Sequence, residues 1–351
     1  AILERYKEVS LSLDIFYLNG IPFLRMIARH LMYRTTMPLS NVRQETLLKK
    51  IKTVVNEYAV RGFQVKQIHG DNQFTCLTDQ LAVPTLGITF YPVARNSHEP
   101  FIERDNRTNK DRCRCIYAGL EFKWIPKRMI MEMPVAADFW LNYWCSSGGV
   151  SDVVPPRQIL TGLQLDAKKH CKFQFGEYIL AHEETDNTLK QRAIDAIYLR
   201  PTGTPDGAFW VMNIATGQRV RRRAGTSAHM TTIIIDQVER LAQSEGMPEG
   251  MIMQDRDKVT ILDFDTASVA SIDDDDGASD ASYLPSDDES EATDLTEFIT
   301  DNEEEMDEDA IIHNYNIGAR AHTHPHTHTH THNQHTPTEH NNHTHQHTTT
   351  T

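Results

Sequence analysis

The sequence has few cysteines, no long apolar run and no cluster of metal-binding thiols. Its five cysteines are an odd number in 351 residues, and Cys113-Arg-Cys115 is too tightly spaced for a zinc site and has no second pair. We therefore expect no disulfide framework and interpret the cysteines as reduced thiols of an intracellular protein. No apolar run reaches the roughly 18 residues of a membrane span, and no signal peptide is apparent. The start at Ala1, close to an apparent strand, favours a fragment of a longer product.

Charge is divided unevenly along the chain. The formal net charge is −14, yet residues 251–351 hold 23 Asp and Glu against 3 Lys and Arg, and residues 1–250 carry a net +6. The mildly basic body is long enough to bury one good core and a smaller second one. The acidic stretch has little apolar content and is expected to be disordered. Its end holds eleven histidines between His322 and His347, which a plain CA repeat would encode as His-Thr, and we assign it no chemistry.

Alternating apolar residues predict a three-stranded antiparallel meander at the start of the chain. A strand over Val9–Leu18 is followed by the turn pair Asn19-Gly20, a second strand over Ile21–Ala28 and a third within Leu31–Met37. The turn pair is typical of a tight hairpin. We therefore expect the chain to begin with an antiparallel sheet, and we expect the first strand to be central in the complete sheet.

A helix and two further strands extend this predicted unit. Ser40 can cap a helix with an apolar stripe from Leu47 to Tyr58. Strands over Phe63–His69 and Leu86–Val93 follow, with a short helix between them. The order β-β-β-α-β-α-β predicts the α/β class.

The stretch Glu99–Arg114 predicts a helix with one charged face. Pro100 is tolerated in its first turn, where a proline costs no helical hydrogen bond. Glu103 is followed at helical spacing by three cations: Arg107, Lys110 and Arg114. A solvated helix face would show the same pattern. The alternative is a carboxylate that binds a metal ion beside cations that bind phosphates.

Two upstream carboxylates favour that alternative. Asp14 lies in the middle of the first strand, where a carboxylate is costly to bury unless it is paired or binds a metal. Asp71 follows the fourth strand, at a strand end of the kind where α/β folds gather their sites, although Asp71-Asn72 is also a good turn pair. If the first and fourth strands are neighbours, Asp14 and Asp71 lie side by side and the helix can bring Glu103 opposite them. Three such carboxylates would need a cation, and oxygen ligands suit Mg²⁺ or Mn²⁺.

The second half of the body predicts a core helix and a small β unit. Ile125–Trp144 predicts a helix with an apolar stripe that packs in the core, and Pro134 should kink this helix. Four short strand-like runs after Lys172 favour a small β-barrel, and Ile233–Ser244 predicts an amphipathic helix. The barrel ends in a basic edge formed by Arg219, Arg221, Arg222 and Arg223. The expected division is an α/β core (1–165), a small barrel (172–224), a helix and linker (225–250) and a disordered acidic and His-Thr tail (251–351).

The segments around the three acids resemble the integrase core of copia-type retrotransposon polyproteins, and are most similar to elements of diatoms and other stramenopiles. These segments are L-D-I-F-Y-L-N-G-I-P-F at Asp14, H-G-D-N-Q-F at Asp71 and I-E-R-D-N-R-T-N-K-D-R at Glu103. S-G-G-V-S-D and P-R-Q-I-L-T-G between Ser147 and Gly162 resemble later parts of the core. F-G-E-Y at Phe175 and A-T-G-Q-R-V at Ala215 resemble the small barrel that follows it.

The resemblance implies a ribonuclease H-like fold, a mixed five-stranded sheet with flanking helices. It maps an Asp, Asp, Glu triad onto Asp14, Asp71 and Glu103, which would bind two Mg²⁺ or Mn²⁺ ions. The implied activity is 3′-end processing and strand transfer of DNA. Arg107 and Lys110 would contact the DNA, and Arg114 and the basic edge would add further contacts to its backbone. The implied partners are element-end DNA, target DNA and further copies of the chain, with no membrane and no small-molecule cofactor. The implied location is nuclear or in a cytoplasmic particle.

The sequence also departs from this family. Only 31 residues separate Asp71 from Glu103, fewer than is usual, which leaves Asp79 as a competitor for the second acid despite its place in an apparent helix. No protease or reverse transcriptase segment follows, and the acidic and His-Thr segments stand there instead. Two alternatives remain open: a catalytically decayed nucleic-acid-binding remnant, and a structural protein whose acidic tail binds basic partners.

Overall fold

The computed structural model describes residues 2–93, 100–183, 189 and 191–254. All of these residues belong to the first of two compact units, Ala1–Glu291. The predicted acidic and His-Thr tail lies outside the described residues except for its first four positions. No helix among the described residues is long and apolar enough to cross a membrane.

The first sheet is mixed, and together with its helices it confirms the predicted α/β class. Its strands are β1 (Glu8–Leu18), β2 (Ile21–Ala28), β3 (Arg34–Pro38), β4 (Gln64–Gly70) and β5 (Thr89–Pro92), and they lie in the order β3-β2-β1-β4-β5. The first three strands pair antiparallel, whereas β4 pairs parallel with both β1 and β5. The hairpin turn at Asn19 and Gly20 has φ of 48° and 78°, the left-handed values that an Asn-Gly pair adopts most easily. β1 is central, as predicted.

Helices lie before, between and after these strands. They are α1 (Ile2–Arg5), α2 (Gln44–Val60), a 3₁₀ helix (Asn72–Leu77), α3 (Thr78–Leu81), α4 (Pro100–Ala118), α5 (Lys127–Leu141), α6 (Pro156–Thr161) and α7 (Ala167–His170). The predicted stripe of α2 is buried at Leu47, Ile51, Val54 and Tyr58. The predicted capping role of Ser40 is wrong. The helix begins after Arg43 without a side-chain cap, and Asn41 accepts hydrogen bonds from Arg43 N and Thr46 Oγ1 instead.

The two faces of the first sheet differ in character. Leu11, Leu13 and Ile15 alternate along β1 and pack in one apolar cluster with the stripe of α2. Because strand side chains alternate in direction, Ser12 and Asp14 lie on the opposite face, together with Arg25, the register partner of Asp14. We call this second face the polar face. It is covered by α4 and α5.

The second sheet is antiparallel, and it shares a buried cluster with α5 and the first sheet. Its strands β6 (Tyr178–His182), β7 (Ala193–Pro201), β8 (Phe209–Asn213), β9 (Arg219–Arg222) and β10 (Gly225–Ser227) follow the path β10-β6-β7-β8-β9. One buried cluster contains Phe16 and Phe23 of the first sheet, Met129 and Met133 of α5, and Trp210 of β8. Closure into the predicted barrel stays a prediction, and so does a kink at Pro134, which lies inside α5.

The chain returns to the first sheet after the second. Helix α8 (Thr232–Ser244) confirms the predicted amphipathic helix, and its Val238 joins the cluster around α5. Strand β11 (Met253–Gln254) then pairs antiparallel with Leu18 and Tyr17 of β1. The expected start of a disordered tail at residue 251 is therefore too early, because buried Met253 still belongs to the core.

Candidate active site

Asp14 is the carboxylate at the centre of the polar face. Its Oδ1 accepts a hydrogen bond from the backbone N–H of Ile15 at 2.8 Å, and its Oδ2 accepts one from Asn106 Nδ2 of α4 at 2.6 Å. Burial raises the pKa of Asp14 to about 7, and the nearby Asp71 carboxylate acts in the same direction, while the two hydrogen bonds and Lys110 oppose the rise. A carboxyl group held in this way gains from any cation that comes near it.

Asp71 lies next to Asp14 because β4 runs parallel to β1. Ser12 pairs with His69, and the same register continued by two residues brings Asp14 level with Asp71, which directly follows β4. Asp71 begins the 3₁₀ helix, but its side chain makes no capping hydrogen bond to that helix. Its competitor Asp79 is exposed in the first turn of α3. The register therefore favours Asp71 over Asp79 as the partner of Asp14.

Glu103 does not join the two aspartates in a ready-made metal cluster. It is exposed in the first turn of α4, and among the described residues no group of three or more His, Cys, Asp and Glu is placed to hold a metal ion. The residue that α4 directs at Asp14 is Asn106, one turn further along. Sequence reasoning missed Asn106, although its position three residues after Glu103 puts it on the same side of the helix.

Asn106 has one satisfied and one unsatisfied end. Its side chain is only 7% exposed, and its Nδ2 is committed to Asp14. Its Oδ1 is buried and finds no hydrogen-bond partner in the part of the chain that the structure describes. A buried carbonyl oxygen without a donor is rare in folded proteins and calls for an explanation.

The three predicted cations of α4 have different environments. Lys110 is 8% exposed, its ammonium lies 5.8 Å from the centre of the Phe16 ring, and it acts on the Asp14 carboxyl. Arg107 is exposed, and Arg114 is half-buried with its Nη1 donating to Asp111 Oδ1 at 2.6 Å. Lys110 is thus the cation at the aspartates, and Arg107 lies on the outer surface.

A buried ion network holds α4 and α5 against the sheet. Arg25 has no exposed surface, and it donates to Asp105 of α4 and, at 2.7 Å, to Asp138 of α5. Arg34 Nε donates to the same Asp105 at 2.7 Å, and Asn109 Nδ2 donates to Asp138 at 2.8 Å. The network fixes the height and rotation of α4 above Asp14. Its residues carry no local sequence pattern, and we did not predict it.

The predicted basic edge is largely paired with carboxylates. Arg219 Nη1 donates to Glu132 Oε1 of α5 at 2.6 Å and lies over the Trp210 ring. Arg222 pairs with Glu183, and Arg221 and Arg223 both pair with Asp206. Burial alone would raise the pKa of Glu132, but Arg200 and Arg219 reverse this and hold it below its ordinary value. These contacts give Arg219 a structural role between the second sheet and α5.

Comparison with known proteins adds a structural likeness. No protein-family model and no curated protein matches the chain. Among solved structures, the chain is similar to the catalytic core domain of BIV integrase, with 17% sequence identity and a TM-score of 0.34, over 43% of this chain and 92% of that chain. A likeness of this extent does not define a family, so the case for a function comes from the geometry of the site.

Proposed function

We propose that the chain is a metal-dependent polynucleotidyl transferase of the integrase class, with a ribonuclease H-like core. The observation that carries the proposal is the parallel register of β1 and β4, which sets Asp14 beside Asp71 on the polar face. Helix α4 adds Asn106 and Lys110 to the same place. Paired carboxylates with an adjacent cation are a chemical environment suited to phosphodiester chemistry.

The donor set fits a hard divalent cation. Two carboxylates stand side by side, and a buried amide oxygen beside them lacks a donor. Oxygen ligands of this kind suit Mg²⁺ or Mn²⁺. Such ions, when bound, supply activation of an attacking hydroxyl and stabilisation of the leaving oxygen. Asp14 and Asp71 would hold two such ions, and Glu103 would be a ligand of one of them.

The remaining residues position the substrate. Lys110 lies beside the aspartates and would bind the phosphate next to the one that reacts. Arg107 would bind the DNA backbone further along the exposed side of α4, with Arg114 beyond it. The contribution of Arg221, Arg222 and Arg223 to DNA binding would be weaker, because each already has a carboxylate partner. Affinity for DNA should fall steeply with salt.

The finer proposal follows the resemblance at the three acidic segments. The chain would belong to a copia-type retrotransposon, would process the 3′ ends of the element's DNA and would join them to target DNA. It would act as a homo-oligomer, in the nucleus or in a cytoplasmic particle. The resembling segments, which surround Asp14, Asp71 and Glu103, support this reading.

The direct test is strand transfer by the purified chain. A short DNA duplex with free 3′-hydroxyls is mixed with plasmid and Mg²⁺ or Mn²⁺, and joined products are measured. The Asp71→Asn variant should fall to background, because one of the two adjacent carboxylates is removed. Asp79→Asn, an exposed acid in the same segment, is the matched control and should keep parental activity. An Asp71→Asn protein as active as its parent would refute the proposal.

A decayed nucleic-acid-binding remnant is the second candidate. The observation in its favour is the place of Glu103, which is exposed and outside any metal-holding group among the described residues. A remnant that has lost its metal site would bind DNA without joining it and would not bind Mn²⁺. Calorimetric titration of Mn²⁺ separates the two candidates.

A further inference from the structure

The amide of Asn106 is held rigidly beside the two aspartates. Its sequence neighbour Asp105 bonds to Arg25 and Arg34, and Asn109 on the next turn bonds to Pro134 O and to Asp138. These contacts anchor α4 on both sides of Asn106. The position of the amide is therefore set by the fold and not by its own single hydrogen bond.

The orientation of the amide is set by its neighbour. Asp14 Oδ2 lies 2.6 Å from Nδ2, a good distance for an N–H donor and a carboxylate. Exchanging the two amide ends would place two oxygens against each other. Oδ1 is bonded to the same carbon as Nδ2, so it lies within a few ångströms of the Asp14 carboxylate. The residue is more than nine-tenths buried, and Oδ1 has no donor among the described residues.

We propose that Asn106 Oδ1 is a protein ligand of a divalent cation held by Asp14 and Asp71. This inference rests on the metal site of the proposed function and extends it by a residue. Amide oxygens are ordinary ligands of hard cations. With both carboxylates ionised, the two aspartates and the neutral amide carry a charge of −2, which balances one divalent ion. The exposed Glu103 is not needed for this first ion.

The test uses Mn²⁺ binding to the full chain, measured by calorimetry, together with the number of metal-bound waters from pulsed EPR in D₂O. Asn106→Ala should weaken Mn²⁺ binding about tenfold or more, within the range seen when groups of a metal site are removed. One additional water should appear on the ion in place of the amide oxygen. Asn56→Ala, on an exposed position of α2, is the control and should change neither quantity.

Asn106→Asp separates a ligand from a residue that merely orients Asp14. The aspartate keeps an oxygen but cannot donate to Asp14, so a ligand role predicts binding at least as tight as in the parent. A purely orienting role predicts a loss as large as that of Asn106→Ala, with no added water, and this result would overturn the inference. Parental binding and hydration in Asn106→Ala would overturn it equally.

Asp14→Asn shows which proposal has failed. If this variant binds Mn²⁺ as the parent does, the metal site itself is absent and the proposed function fails with it. If it abolishes binding while Asn106→Ala leaves binding unchanged, only the role of Asn106 is wrong. Circular dichroism and urea unfolding establish that each variant is folded before binding is measured.

Discussion

One face of the first sheet is covered by hydrocarbon, whereas the other carries charges that the protein buries. Leu11, Leu13 and Ile15 of β1 pack against α2 in a cluster of aliphatic and aromatic side chains. On the polar face, Asp14 stands next to Arg25, and the fully buried Arg25 is needed to hold two helices. The same strand therefore serves stability through one set of side chains and supports the site through the other.

The largest expected effect comes from breaking the polar face at Arg25. Arg25→Met leaves Asp105 and Asp138 buried without their shared partner, although Arg34 still reaches Asp105. We expect a loss of about 4 kcal/mol in the free energy of unfolding, measured in urea at pH 7. Arg112→Met, on the exposed side of α4, is the control and should cost less than about 0.5 kcal/mol. Equal losses of unfolding free energy in the two variants would show that the Arg25 network does not stabilise the fold.

A slightly smaller effect is expected from breaking the apolar face. Leu13→Ala removes a leucine that is 1% exposed and adjacent in sequence to Asp14. The cavity should cost about 3 kcal/mol in urea unfolding. Mn²⁺ affinity of the folded variant should stay at the parental level, because Leu13 points away from the site. A large loss of affinity in a folded Leu13→Ala protein would mean that the two faces are not independent.

An intermediate effect, dependent on pH, is expected at Glu132 of α5. Its folded-state pKa lies below the ordinary 4.5, so its stabilising contribution is complete above that value and is lost as pH falls through the lowered pKa. Glu132→Gln should cost about 2 kcal/mol at pH 7. As the pH falls below about 4.5, the free energy of unfolding of the Glu132→Gln variant should also decrease less than that of the parent. Glu121→Gln, an exposed acid, should reproduce the parental pH profile.

The smallest expected effect has the opposite sign. In EDTA, Asp14→Asn removes one of two adjacent carboxylates from a partly buried position, and it should stabilise the chain by about 1 kcal/mol while it abolishes Mn²⁺ binding. Asp152→Asn, an exposed acid outside the sheet, should change neither quantity. A destabilised Asp14→Asn protein would show that the carboxylate serves the fold instead of the site.

The sequence predicted those features that depend on neighbouring residues. Alternation along β1, the turn at Asn19 and the stripe of α2 are local patterns, and each is confirmed. The adjacency of Asp14 and Asp71 needed one further assumption, that β1 and β4 are neighbours, and the register agrees with it.

The rest depends on pairs far apart in the chain. The rotation of α4 is set by Asp105 bonding to Arg25, 80 positions earlier, so the helix turns Asn106 toward Asp14 and leaves Glu103 exposed. Arg219 looked like part of a basic edge because its partner Glu132 lies 87 positions away. No periodicity records such pairings, and charge alone could not tell a surface arginine from one that is already paired.

The return of β11 to β1 has a practical consequence for anyone producing shortened versions of the chain. A product that stops at residue 165 or 224 would lack Met253 and Gln254 and would leave the backbone of Tyr17 and Leu18 without that partner. Stopping at 165 would also uncover the side of α5 that the second sheet shields. Bare strand backbone and uncovered apolar surface promote self-association, so expression boundaries should keep every residue through Gln254.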